Sequence, residues 1–207
     1  VLPSKIICVG RNYVAHAKEH DAEVPKVPLV FFKPPSALIG PDAAIVLPPQ
    51  SEQVEQEAEL AVVIGRRGRG ITTEEAMAHV LGYTIANDVT ARDLQRSDSQ
   101  WTRAKGFDTF CPLGPWIETD FDPADGLITC HINSEMRQMA STRDMVFRVQ
   151  QLIAFISSIM TLEPGDLILT GTPAGVSPLS EGDQVEISIE GIGTLRNPVI
   201  TASASQP

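Results

Sequence analysis

Cysteine, positive charge and long apolar runs are all scarce in this sequence, and each shortage removes a class of protein. Cys8, Cys111 and Cys130 are the only cysteines. Their odd number and unrelated contexts supply neither a disulfide framework nor a zinc-ligand spacing, so they read as reduced, structural thiols. Sixteen Lys and Arg stand against 26 Asp and Glu, a formal net charge of −10 and a pI near 4.8. No basic cluster longer than residues 65–69 offsets that balance. A nucleic-acid surface is therefore not expected, and the short basic turn reads as a solvated loop. No apolar stretch has the length of a membrane span, and the first residues lack the charged-then-apolar pattern of a leader. The expectation is a soluble, cytoplasmic protein with no nucleic-acid or membrane partner. The chain opens Val1-Leu2-Pro3-Ser4 without methionine, so a small N-terminal region is expected to precede it.

What is present suffices for a packed core: 43% of the 207 residues are hydrophobic, which suits one domain over residues 1–207. Apolar runs at residues 6–9, 29–32, 60–64, 83–86, 167–170, 184–189 and 194–200 predict strands, the last two joined by a hairpin. Residues 14–20 suit one or two helical turns. Residues 72–81 predict a helix, because a threonine cap and first-turn acids begin the segment and Gly82 follows it. The longest amphipathic segment is 144–160, where Val146, Val149, Ile153, Ile156 and Met160 recur at helical spacing. It predicts a helix packed on a sheet. Strands outnumber helices without a regular βαβ alternation, so the fold class expected is α+β and β-rich.

Three carboxylates stand out. Glu57 and Glu59 lie two apart in an extended run, so on a strand they project to one face. Asp88, at the end of a second extended run, could complete a facial set of oxygen ligands for Mg²⁺ or Mn²⁺. In so acidic a chain the same pattern also reads as solvated charge. His16 and Glu19, three apart on a helix, are neighbours: a general-base dyad in outline, or else an exposed polar pair. His20 is placed on a different face, exposed to solvent. Lys105 sits among apolar and aromatic residues that would partly desolvate its ammonium and strengthen its pull on an anion. The glycines of the turn at residues 169–175 allow backbone N–H groups to approach a carboxylate or an oxyanion.

Taken in order, these blocks resemble the fumarylacetoacetate hydrolase family. The matching stretches are Cys8 to Tyr13, His16-x-x-Glu19, Phe32-Lys33-Pro34, Glu57-x-Glu59 with its apolar run to Gly65, Asp88 to Gln95, Lys105-Gly106-Phe107, and Gly171-Thr172-Pro173-x-Gly175. The likeness extends over about residues 5–200 and is to the acylpyruvase, oxaloacetate decarboxylase and 2-hydroxyhepta-2,4-diene-1,7-dioate isomerase-like members. It implies a mixed β-sandwich roll, a homodimer, and Mg²⁺ or Mn²⁺ held by Glu57, Glu59 and Asp88. It further implies that His16 and Glu19 activate water from a mobile lid at about residues 11–35, with Lys105 beside the metal and Lys33 in support. Arg11 and Gln95 are implied as substrate contacts and Thr172 as the threonine of a carboxylate-binding turn. Where related sequences often carry one or two histidines, this chain has Glu55-Gln56, leaving Glu55 to compete for the metal or to be solvated.

The activity implied is divalent-metal-dependent hydrolysis of a C–C bond in small 2,4-dioxo acids of the acylpyruvate type, often products of aromatic-ring catabolism, through a metal-stabilised enolate. Oxaloacetate decarboxylation and isomerisation or tautomerisation of hydroxyheptadienedioate-type acids are the alternatives on the same site. A non-catalytic, metal-stabilised binding module is the alternative of another class.

Overall fold

In the computed structural model, which describes residues 2–202, the first apolar run forms β1 (Ile6–Gly10). A short helix α1 (Val14–Glu19) follows, and the chain returns antiparallel to β1 as β2 (Leu29–Lys33). The proline-rich stretch contributes a single tight turn at Pro35–Ala37 and the short strands β3 (Leu38–Ile39) and β4 (Ile45–Leu47). Next come β5 (Val54–Glu55), β6 (Ala58–Ile64), β7 (Val80–Asn87), β8 (Thr90–Ala91) and two short helices, α2 (Arg92–Ser97) and α3 (Thr102–Lys105). The second half supplies β9 (Cys111–Glu118), a hairpin of β10 (Leu127–Ile132) and β11 (Glu135–Ser141), and helix α4 (Val149–Ile159). Three strands complete it: β12 (Leu167–Leu169), β13 (Gln184–Ile189) and β14 (Gly193–Thr201).

Seven strands form one mixed sheet in the order β2-β1-β12-β6-β7-β9-β3, and five form a second in the order β11-β10-β13-β14-β4. The period of two sorts the strand residues. Ile7, Val9, Leu60, Val62 and Ile64 face the main core, where they meet Ile128, Ile187 and Leu195 of the second sheet and Val149, Leu152, Ile153 and Ile156 of α4. The alternate residues Ile6, Cys8, Ala61, Val63 and Leu169 form a smaller apolar cluster. Burial on both faces is why β6 reads as an unbroken apolar run. Truncating a residue such as Leu60 to alanine here costs about 2–5 kcal/mol. The α+β, β-rich class and the mixed-sheet roll expected from the sequence are both realised. All three cysteines are buried, and burial pushes the Cys111 and Cys130 thiols up to about 12, so they stay protonated.

Two sequence expectations change, and three strands come unannounced. The helix over 72–81 is reduced to a single tight turn at Ala76–His79, and Gly82 lies inside β7. The cause is competition for the backbone: Gly65 N–H donates to His79 O at 2.8 Å and Val80 pairs with Ile64, which secures the segment to β6. The long helix begins at Val149 rather than near Asp144, because Asn12 takes the preceding backbone. Val146 N–H donates to Asn12 O at 2.8 Å and Phe147 N–H to Asn12 Oδ1 at 2.7 Å. Strands β9, β10 and β11 carry little sequence signal. Pro112 and Pro115 interrupt β9, and β11 is an edge strand on which Gln138 is the residue fully buried. No helix among the described residues is long and apolar enough to cross a membrane.

Candidate active site

The register that pairs Ala58 with Asn87 sets Asp88 beside Glu57, whose carbonyl accepts the Asp88 N–H at 2.9 Å. Glu57 and Glu59 do not share one continuous strand. The extended run breaks between β5 and β6, where Glu57 N–H donates to Asn87 Oδ1 at 2.9 Å and Ala58 N–H to Gln138 Oε1 at 3.1 Å. Side chains replace the ladder there, yet the three carboxylates still converge. One oxygen from each of Glu57, Glu59 and Asp88 lies within 4.8 Å of the others, and all three residues are buried.

Three buried cations brace the group. Lys33, at the end of β2, donates to Asp88 Oδ1 at 2.6 Å and to Val89 O at 3.0 Å. Lys105, at the end of α3, donates to Asp88 Oδ2 at 2.7 Å and Glu57 Oε2 at 2.8 Å. It is 1% exposed, far more desolvated than its neighbours in sequence suggest. Arg92 opens α2 and donates to Glu57 Oε1, Glu55 Oε2 and Gln95 Oε1 at 2.6, 2.7 and 2.6 Å. Glu55 is therefore neither solvated nor competing for a metal: Arg92 and Gln53 hold it. Arg92 is the residue that motif reasoning overlooks, although it lies inside the block from Asp88 to Gln95.

Electrostatics separate the carboxylates. For Glu57, burial alone would raise the pKa, but Lys105 and then Arg92 outweigh it and hold the group well below the usual range. Glu59 is pushed well above that range by burial, reinforced by Asp88 and Glu57. It has no cationic partner among the described residues; Oε2 accepts the Gly171 N–H at 2.7 Å. For Lys105, burial lowers the pKa while Asp88 and Glu57 raise it further, to about 12, so the ammonium stays charged. A buried set of oxygen donors with one carboxylate left uncompensated fits a hard divalent cation such as Mg²⁺ or Mn²⁺.

Helix α1 carries the dyad. His16 Nδ1 lies 3.3 Å from Glu19 Oε2, and Glu19 is itself fixed by the Gly175 N–H at 3.0 Å. His16 is buried, and burial lowers its pKa, with Glu57 and the Glu19 bond opposing the shift. It is therefore neutral at pH 7. The expectation for His20 is overturned. It is half-buried, its ring meets that of His16 edge-on at 4.7 Å between centroids, and its Nε2 is buried without a hydrogen-bond partner among the described residues. Residues 16 and 20 are one helical turn apart, which brings them to the same side.

The two glycines of the turn spend their own N–H groups inside the chain. Gly171 N–H is taken by Glu59 and Gly175 N–H by Glu19. Both glycines have positive φ, and a Cβ would stand 2.7 Å from Asn12 Cβ at Gly171 and 2.0 Å from Arg137 O at Gly175. The Thr172 hydroxyl is likewise committed, donating to Ala58 O at 2.9 Å and accepting from Gln138 Nε2 at 2.8 Å.

One cleft of about 230 Å³ gathers most of the expected residues. His16, Glu57, Glu59 and Lys105 line it together with Arg11, Gln95 and Thr172. Arg92 and His20 join them, whereas Asp88, fully buried, and Glu19 do not line the cleft. Arg11 has φ of 59°, a conformation that costs a non-glycine residue energy and holds this side chain at the cleft.

Comparison with known proteins agrees with this geometry. An uncharacterised protein of Methanocaldococcus jannaschii is 54% identical over 197 residues, covering 95% of this chain and 83% of its own. The human mitochondrial oxaloacetate tautomerase FAHD2A is 48% identical over 210 residues, covering 96% of this chain and 67% of its own. The crystal structure of a 2-hydroxyhepta-2,4-diene-1,7-dioate isomerase from Mycobacterium marinum superposes with a TM-score of 0.92 at 51% identity, covering 98% of this chain and 77% of that one. Residues 5–200 match the family described as fumarylacetoacetate (FAA) hydrolase C-terminal, and the chain belongs to that family of enzymes.

Proposed function

We propose that this protein interconverts tautomers of a small 2-oxo diacid of the oxaloacetate type. The observation that carries the reading is a neutral His16, held by Glu19, opening onto the same cleft as a buried carboxylate triad. Tautomerase and isomerase, the activities in the names of two similar proteins, conserve the composition of the substrate. Such chemistry needs a base and a place for negative charge, and it needs no placed water.

Mg²⁺ or Mn²⁺ bound by Glu57, Glu59 and Asp88 would supply the positive charge that favours the enolate over the ketone. Arg11 and Gln95 at the cleft bind and orient the acid's carboxylates. The bond from Nδ1–H to Glu19 leaves His16 Nε2 to accept a proton from the carbon beside the keto group. Glu19 then pairs with the imidazolium until the proton is delivered to the enolate oxygen, which completes the enol; the reverse direction returns it to carbon. Lys105 holds Glu57 ionised and spends the rest of its ammonium on a bond to Asp88.

Hydrolysis of an acylpyruvate C–C bond is the second reading, favoured by the same dyad with water in place of carbon acid. A panel of oxaloacetate, acylpyruvates and hydroxyheptadienedioate-type acids, assayed with Mn²⁺, separates the two. Tautomerisation changes the enol absorbance and releases neither pyruvate nor CO₂. Stoichiometric pyruvate with a carboxylic acid would replace it by hydrolysis, pyruvate with CO₂ by decarboxylation, and inactivity throughout by a binding module. A homodimer is part of the same proposal, and sedimentation at the assay concentration tests it.

A further inference from the structure

The face of α1 that carries the dyad also has the makings of a second, chemically different metal site. His16, Glu19 and His20 each offer one ligand atom within 4.8 Å of the others. Two histidines four apart with a glutamate between them share one helical face, a spacing that recurs in zinc-binding helices. Tetrahedral zinc with Zn–N of about 2.0–2.1 Å places its ligands roughly 3.3 Å apart, so a modest side-chain rotation closes the set. Three observations favour it. His20 Nε2 is buried with no hydrogen-bond partner among the described residues. The two imidazole rings already sit edge-on at 4.7 Å. Glu19 is anchored from behind by the Gly175 N–H.

We propose that His16, Glu19 and His20 form a binding site for Zn²⁺, or a similar borderline cation, distinct from the all-oxygen triad. Imidazole selects zinc over magnesium, whereas Glu57, Glu59 and Asp88 select the harder ion. The two sites therefore separate by ligand chemistry. Zinc on the His16 Nδ1 that faces Glu19 would put the ring's proton on Nε2 and remove the lone pair that the proposed reaction uses, so micromolar zinc would inhibit turnover. That consequence rests on the reading of His16 as the base, but the binding does not.

The test is calorimetric titration of the full chain with Zn²⁺ in saturating Mg²⁺, which keeps the triad filled. The expected result is one Zn²⁺ per chain, abolished in His20→Ala and retained in Asp88→Asn. No zinc binding by the wild type, or binding unchanged in His20→Ala, would overturn the proposal. So would loss of the site in Asp88→Asn with the fold intact by circular dichroism. Retained Mg²⁺ binding shows that His20→Ala keeps its cleft; if it does not, His20→Gln is judged by the same criteria. Zinc bound through His20 without any effect on turnover leaves the site in place and removes His16 from catalysis, whereas zinc-free turnover with no zinc binding does the reverse.

Discussion

Arg92 donates through Nη2 to Glu57 Oε1 at 2.6 Å while both side chains are buried. Its Nε reaches Glu55 in the same way at 2.7 Å, so one guanidinium bridges two carboxylates, Glu55 at the end of β5 and Glu57 in the break before β6. Removing one member of a buried pair leaves an uncompensated charge, which costs about 3–5 kcal/mol. Arg92→Met should therefore lower unfolding stability in urea by about that amount. The double variant Arg92→Met with Glu55→Gln should recover part of it. A loss confined to a few tenths of a kcal/mol would show that water replaces the guanidinium.

Asp88 accepts from Lys33 and Lys105 on separate oxygens. Asp88→Asn keeps the shape but removes the charge that would hold a cation. Mn²⁺ affinity measured by calorimetry should fall sharply, along with turnover. Unchanged affinity would sink the assignment of this residue to the metal.

His16→Ala removes the proposed proton acceptor without touching the carboxylates. Turnover should drop by about 10²–10⁴-fold, the usual worth of general-base catalysis, while Mn²⁺ affinity is retained. Activity close to that of the wild type would take the dyad out of the mechanism.

The pH dependence has a defined sign. His16 is depressed below its ordinary value of 6.5, chiefly by burial, with Glu57 and Glu19 opposing. The active, neutral form thus persists below pH 6.5, and the acid limb of kcat/KM should have its midpoint below that value. Glu19→Gln removes an influence that raises the pKa, so the limb should move further toward acid. Movement toward neutral pH would contradict the pairing. The same depression means that the stability contributed by neutral His16 is present above about pH 6.5 and is lost as pH falls through the folded value.

Glu59 gives the complementary window. Its folded pKa is raised, first by burial and then by Asp88 and Glu57. In the metal-free protein its contribution to stability is present below the ordinary carboxylate range and is lost as pH rises through the folded value. Metal binding must displace that proton. Thermal stabilisation by Mn²⁺ should accordingly grow with pH, and a pH-independent shift would rule out a protonated Glu59.

Local pattern made much of this legible. The ordered blocks carried His16, Glu19, Lys105 and the three carboxylates because each is tied to a short stretch with its own spacing. Periodicity revealed β1, β6 and α4, whose buried faces leave a mark of two or of 3.6 residues. Where side chains captured backbone groups, the pattern misled. Asn12 delays α4 through bonds to residues 134 and 135 positions away, and β6 pulls residues 79 and 80 out of a helix. Neither contact has a local signature. The helical face shared by His16 and His20 was open to inspection, but the burial that makes it consequential was not.

The amino-acid sequence by itself determined the family, the β-rich class and the identity of the acidic and basic groups, because those depend on residue type and near spacing. Only the tertiary structure decided which charges compensate which. It gave Glu55 to Arg92, left Glu59 without a cationic partner among the described residues, and turned the N–H groups of Gly171 and Gly175 toward the chain's own carboxylates. The reason is physical: in a buried site the energy of a charge is set by neighbours within a few ångströms, and those neighbours arrive here from strands and helices far apart along the chain.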